Sequence, residues 1–307
     1  MMKTPYGAGT TADQILNGLN LHGRRMIVTG GASGIGLETT RSLAKAGARV
    51  VVATRRPEAA EDAINALRRE NANAEISVRA LDLADLRSVR AFIEAWEGPL
   101  HALINNAGIM ALPSLERSHQ GCEMQFATNF LGHFALTLGL RRYLAEAKGA
   151  RVVSVSSTGN LFAPVFWDDP HFRFMPYDPL LAYAQSKTAC ILLAISIASR
   201  WGDDGIVANA LNPGAIATNL QRYTGGLQTP KALQKSPPQG AATSVLLAAS
   251  PCVEGVTGRY FDDCQIAPVR EARTPGIPDG VASYALNPDN AERLWQMALQ
   301  LIEPMGR

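Results

Sequence analysis

The chain has 307 residues, 47% apolar and 18% charged, which supplies a substantial core and too little charge for a disordered chain. Its 29 basic and 27 acidic residues leave a net charge of +2, without the cationic excess that nucleic-acid binding needs, so no nucleic-acid role is expected. Cys122, Cys190, Cys252 and Cys264 show neither metal-ligand spacing nor a disulfide framework, so no metal site is expected and a reducing cytoplasm fits.

In chain order, residues 1–20 are rich in Gly and Thr, contain no apolar run of signal-peptide length, and read as an N-terminal arm on the surface. From Arg25 onward, short β-branched runs alternate with amphipathic stretches. Strands are expected at Met26–Thr29, Ala48–Ala53, Ile76–Ala80, Leu100–Asn105, Arg151–Ser156, Ile206–Asn212 and Arg259–Phe261. Helices are expected between them: one ending at Ala46, then Glu58–Glu70, Leu86–Trp96, a long one over Gly121–Ala147, Leu181–Trp201 and Ala241–Ala249. A last helix, Asp289–Ile302, follows an Asn287/Asp289 cap. This rhythm predicts an α/β fold of the Rossmann type, a doubly wound parallel sheet with helices on both faces. It forms a single domain over 21–267, followed by a C-terminal tail over 268–307. The most apolar helical run, Thr188–Ser199, is shorter than the roughly 20 residues a bilayer requires, so no membrane span is expected.

Two loops break the regularity. Residues 158–180 hold Phe162, Phe166, Trp167, Phe172, Phe174, Met175 and Tyr177. This aromatic insertion reads either as the wall of a lipophilic substrate site or as a segment packed on the core. Residues 221–238 are rich in Gly, Gln and Pro and are expected to be the more mobile, near the substrate.

Gly30, Ser33, Gly34, Ile35 and Gly36 lie in the turn Thr29–Gly36, between the first strand and first helix, where a pyrophosphate approaches backbone amides at a helix N-terminus. After the second strand the acidic residue that would hold a free ribose 2′-hydroxyl is missing. Thr54 takes its place, and Arg55 is set to meet a 2′-phosphate, which favours NADP(H) over NAD(H) unless Arg55 and Arg56 form a solvated face. Tyr183 and Lys187 stand four residues apart on one helix face, which brings an ammonium beside a phenol, as a tyrosine general acid/base needs. Ser157 ends a central strand on the edge where parallel sheets bind ligands, with Ser156 as its rival because neighbouring strand residues face opposite ways.

These motifs, with Asn105-Asn106-Ala107-Gly108, Asn129 and Pro213-Gly214, resemble the short-chain dehydrogenase/reductase family over roughly Leu21 to Asp262. The segments Asn129–Phe134 and Gly258–Phe261 look like its retinol-dehydrogenase and WW-domain-oxidoreductase-like branch, although the membrane-anchoring segment of that branch is absent from residues 1–20. The resemblance implies Asp82 and Leu83 beside the adenine and Asn106, Ala107 and Gly108 along the ribose. It places Ile216 and Thr218 at the nicotinamide amide, in a cofactor-binding run that includes Pro213 and Gly214, and Asn129 supporting Lys187 through a water. It further implies hydride transfer between a small-molecule carbonyl and alcohol, in which Tyr183 moves the proton, Ser157 polarises the oxygen and Lys187 orients the ribose, and self-association as a homodimer or homotetramer. Two other readings stay open. An NADPH-binding regulator or scaffold without turnover would be expected to lack the Tyr or Lys, and an epimerase or dehydratase to carry a larger C-terminal domain. The gap of 26 positions from Ser157 to Tyr183 is longer than the commonest pattern and leaves the pocket's shape open.

Overall fold

Alternation at period two decides how the strands divide the interior. In the computed structural model, which describes residues 3–274 and 279–303, β1 (Arg25–Thr29) and β2 (Arg49–Thr54) run side by side with Val28 opposite Val52. Val50 and Val52 face a layer holding Leu43, Ile64 and Val245, whereas Val51 and Ala53 face one holding Val89, Phe134 and Ile197. Both faces of the sheet are therefore covered, which is why its strands read as continuous apolar runs.

The remaining strands are β3 (Ile76–Ala80), β4 (Ala102–Asn105), β5 (Arg151–Val155), β6 (Val207–Asn212) and β7 (Tyr260–Asp262), all parallel, in the order β3-β2-β1-β4-β5-β6-β7. An eighth strand departs from the expected all-parallel sheet: β8 (Gln265–Ile266) turns back antiparallel on β7. The two-residue turn between them holds Asp263 and Cys264 at φ 50° and 63°. Such turns normally carry Gly or Asn, so this sequence offered no hairpin signal.

On one face lie α1 (Ala12–Leu16), α2 (Gly34–Lys45), α3 (Pro57–Glu70) and α9 (Pro237–Ala249). On the other lie α4 (Leu86–Glu94), α6 (Gly132–Gly139), α7 (Arg141–Glu146), α8 (Pro179–Arg200) and α10 (Pro288–Ile302). The expected surface arm is in part a packed element. Thr11 and Gln14 cap α1 reciprocally, Ala12, Ile15 and Leu16 are buried, and Thr4 Oγ1 donates to Cys264 O at 2.8 Å. Residues 1–2 of that arm, and 275–278 and 304–307 of the tail, lie outside the described residues.

The long helix expected over Gly121–Ala147 is broken up. It starts only after Glu123, whose carboxylate accepts the amides of Gln125 and Phe126. The short helix α5 (Met124–Phe126) then passes into a π-helical turn, Ala127–Leu131, before α6. Single π turns of this kind concentrate at functional sites. The tail is folded back: a small parallel pair, β9 (Val269–Arg270) with β10 (Val281–Ala282), leads to α10, whose Trp295 meets Phe134 and Trp201 edge to face. With 22 residues, α8 is longer than its apolar run suggested and would reach across a bilayer by length and composition. Of its most apolar window, 83% is buried between the sheet and its neighbours.

Candidate active site

All seven parallel strands bring their C-terminal ends to one edge, where a cleft of about 840 Å³ opens across the reversal of chain order between β1 and β4. At one end of it, Gly30 has φ 64°, and a Cβ there would lie 3.1 Å from Ala107 Cα. A side chain at Gly36 would collide with the Gly30 carbonyl and the Asn106 amide. Only glycine lets the β1–α2 turn press against residues 106–108 in this way.

Asn106 Nδ2 donates to Thr29 O at 2.8 Å and fixes the two segments together. Ser33 precedes α2 without bonding its amides, and the first turn of α2 holds no acid, so those amides remain available to an anion. Gly34, Ile35, Thr54, Arg55, Asp82 and Leu83 line the same end. Arg55 is exposed and belongs to none of the close ion pairs among the described residues. A glycine cradle, a helix N-terminus and an unpaired arginine fit a phosphorylated dinucleotide.

The other end is set by α8. Pro179 occupies its first position, and the Asp178 carboxylate accepts the amides of Leu180 and Leu181 at 2.8 and 2.9 Å, which fixes the helix start. One turn on come Tyr183 and Lys187, only 7% and 4% exposed yet both lining the cleft. Lys187 Nζ lies 5.6 Å from the centre of the Tyr183 ring and donates to Val155 O at 3.0 Å. The two serines are distinguished by their partners. Ser156 Oγ donates to Lys187 O at 2.7 Å, into the body of α8. Ser157 Oγ accepts the Gly159 amide at 3.1 Å and keeps its own proton. Gly159 lies between Tyr183 and Ser157: a side chain there would lie 3.3 Å from the Tyr183 ring and 3.6 Å from Ser157 Oγ.

Asn129 stands in the π turn, buried behind this wall. Its amide nitrogen donates to Ile109 O and Ser186 Oγ at 3.0 and 2.9 Å, and its Oδ1 accepts the Ile109 amide at 2.9 Å. It faces Lys187 across Gly108, where a side chain would touch both Asn129 Oδ1 and Lys187 Nζ. Its direct partners are thus Ile109 and Ser186 rather than the lysine. Pro213, Gly214, Ile216 and Thr218 line the cleft beyond β6, and Thr218 Oγ1 accepts the Leu220 amide to cap the short turn that follows.

Of the two readings of the aromatic insertion, its placement matches a packed segment better than a wall of the cleft. Only Thr158 and Leu180 of residues 158–180 line the cleft. Phe166, Phe172 and Tyr177 pack edge to face on one another, and Trp167 lies against the core. Phe174, at its tip, is 91% exposed. Beside Leu180, the last residue of the insertion, apolar lining near this end comes from Met110, Leu220, Leu227 and Leu233.

The charged cleft residues Asp262, Asp263 and Asp279 were not singled out by the sequence reading, nor was Lys235 within the loop 221–238. Lys235 lies along Gly214 and pairs with Asp263. Burial, reinforced by the negative charge of Asp263, pushes the Asp262 carboxyl up to about 6, against the pull of the Asn212 amide that donates to it. The available signal was position, since Asp262 ends a parallel strand on the ligand-binding edge.

The model of the short chain dehydrogenase family matches residues 24–226. A protein of Streptomyces antibioticus named "Probable oxidoreductase" is 51% identical over 295 residues, covering 91% of this chain and 97% of that protein. Retinol dehydrogenase 12 of Mus musculus is 36% identical over 291 residues, covering 92% and 88%. Among solved structures, an uncharacterized protein from Mycobacterium paratuberculosis superposes with a TM-score of 0.74 at 31% identity, covering 96% of this chain and 98% of that one.

Proposed function

The chain belongs to the short-chain dehydrogenase family, an oxidoreductase family that binds NAD(P), and from that premise we propose that it is an NADP(H)-preferring enzyme interconverting a small-molecule carbonyl and its alcohol. The observation that carries this reading is the convergence of Tyr183, Ser157 and Lys187 around Gly159 and Val155, in the cleft that also holds the glycine cradle. A bound nicotinamide supplies or accepts the hydride. Tyr183 Oη gives its proton to the substrate oxygen in reduction and takes it back in oxidation. Ser157 Oγ donates to the same oxygen and stabilises the charge that gathers there. Lys187, with one donor spent on Val155 O, has N–H groups left that would hold the ribose of a bound cofactor. Asn129 acts at one remove, holding Ile109 and Ser186 beside these groups.

Preference for the 2′-phosphorylated cofactor rests on Thr54 and the unpaired Arg55. An apolar body for the substrate rests on Leu180, Leu220, Leu227 and Leu233, in place of the insertion's aromatic residues. The four free cysteines, three of them buried, support a cytoplasmic setting. Self-association through α8 would have to include α10, which covers part of it.

The test is absorbance of the reduced nicotinamide with NADPH and NADH against a panel of aldehydes, ketones and lipophilic alcohols. Turnover at least tenfold more efficient with NADPH is expected. Equal use of both cofactors would remove the Arg55 argument, and binding without any turnover across the panel would favour a sensor.

A further inference from the structure

One buried titratable group is left unused by that reading. His133, on the second residue of α6, is 2% exposed and uses both ring nitrogens. Nδ1 lies 2.8 Å from the Asn129 carbonyl, and Nε2 lies 2.8 Å from Thr29 Oγ1. A carbonyl can only accept, so Nδ1 carries the proton and Nε2 is bare. The Thr29 hydroxyl must then donate to Nε2. With its proton committed there, Thr29 Oγ1 is left as a pure acceptor, and it receives the amides of Asn106 and Ala107 at 2.9 and 3.0 Å. The competing acceptor for that proton, Ile104 O, lies farther off at 3.3 Å.

The two ends of this bridge are the two halves of the active site. Thr29 is the residue from which the Gly30–Gly36 turn springs, and Asn106 and Ala107 are the segment against which that turn is pressed. Asn129 sits in the π turn and holds Ile109 and Ser186, next to Gly108 and Lys187. Its carbonyl also receives the Cys190 thiol of α8 at 3.2 Å. The ring is kept neutral by its surroundings: burial, with the nearby Lys187 ammonium, lowers its pKa to about 4.

We propose that His133 is a positioning residue for hydride transfer, a neutral imidazole that ties the cofactor-binding turn, through Thr29, to the π turn that carries Asn129. It touches neither cofactor nor substrate. It sets the spacing between the phosphate-binding turn and the Tyr183–Lys187 pair, so that a cofactor anchored at one end presents its reactive ring at the other. This role rests on the nicotinamide-dependent reading above.

Two substitutions separate the two arms of the bridge. His133→Asn keeps a donor near the Asn129 carbonyl but withdraws from Thr29, whereas His133→Gln reaches Thr29 with an acceptor and gives up the carbonyl. The dissociation constant for NADPH is read by fluorescence titration, and kcat by absorbance. The expected result is a split of roughly tenfold in each case, the scale of one buried hydrogen bond: weaker NADPH binding for His133→Asn, and lower kcat with near-normal binding for His133→Gln. Thr29→Val, which removes the hydroxyl with little change of shape and also strands the Asn106 and Ala107 amides, should weaken NADPH binding at least as much as His133→Asn, and the double variant should be no worse than Thr29→Val alone. Variants that lose thermal stability alike but keep both constants within twofold of the wild type would overturn the role and leave the enzyme reading intact. Wild-type protein that binds no nicotinamide dinucleotide would overturn both.

Discussion

The loops after β5 and β6 leave the same edge of the same sheet and are held in opposite ways. Residues 158–180 are wired to the body by buried polar side chains. Gln185 accepts the Phe166 amide and donates to Pro170 O, Thr188 donates to Ala163 O at 2.7 Å, and His171 Nδ1 accepts the Glu123 amide. Asp169 gathers the amides of Arg173, Phe174 and Met175 within 2.9 Å. Residues 221–238 bond mostly among themselves and are anchored at their ends, by Gln221 to Ile216 O and by Lys235 to Ala215 O and Asp263. Yet this second loop supplies Arg222, Leu227, Leu233 and Lys235 to the cleft, while the first supplies Thr158 and Leu180. The insertion's aromatics stay out of the cleft, some packed on one another and others such as Phe162 and Phe174 exposed, while the lightly held polar loop supplies more of the cleft lining.

Acid breaks this contrast at its strongest point. Burial lowers the pKa of His171 and of His133 to about 4, whereas in an unfolded chain each titrates near 6.5. Between these values the unfolded state binds more protons, so stability is intact above about pH 6.5 and falls as pH drops toward 4. The expected loss is about 3 kcal/mol per histidine at the lower end. Asp262, raised to about 6, gains stability over the same fall and offsets part of it. Urea unfolding at pH 7 and pH 5 measures the balance, and a higher midpoint at pH 5 would contradict it.

A smaller effect separates the loops directly. Gln185→Leu removes the partners of the half-buried Phe166 amide and Pro170 carbonyl and should cost about 1–2 kcal/mol. Because the insertion's aromatics stay out of the cleft, kcat/KM well below the melting temperature should change less than threefold. A large loss of activity without loss of stability would return the insertion to the role of a wall. Smallest is Leu233→Ala, on a side chain 65% exposed at the cleft: KM for an apolar substrate should rise several-fold, about 1 kcal/mol, with Tm unchanged. A shift in Tm with constant KM would place Leu233 in the scaffold.

What the sequence disclosed follows the same division. The β1–α2 turn is legible because Gly30 and Gly36 answer local demands, a positive φ and a close backbone approach. Tyr183 and Lys187 are legible because four residues make one helical face. The break of the long helix at Asn129 was hidden, since nothing local separates a π turn from an α-helix through Ala127–Leu131. His133 entered only as part of the family-like segment Asn129–Phe134, and its bridging role was hidden because its two partners lie 104 and 4 positions away. Lys235 and Asp262 join the cleft only through the pairing of β6 with β7 and the return of the second loop, which no short window contains.

The proton-transfer assignment at the α8 end is tested most directly by Tyr183→Phe, assayed for turnover with NADPH and, on the same preparation, for NADPH binding. Loss of the phenolic proton should lower kcat by about 10²- to 10⁴-fold while the dissociation constant for NADPH stays within threefold. Turnover close to that of the wild type in this variant would contradict the account.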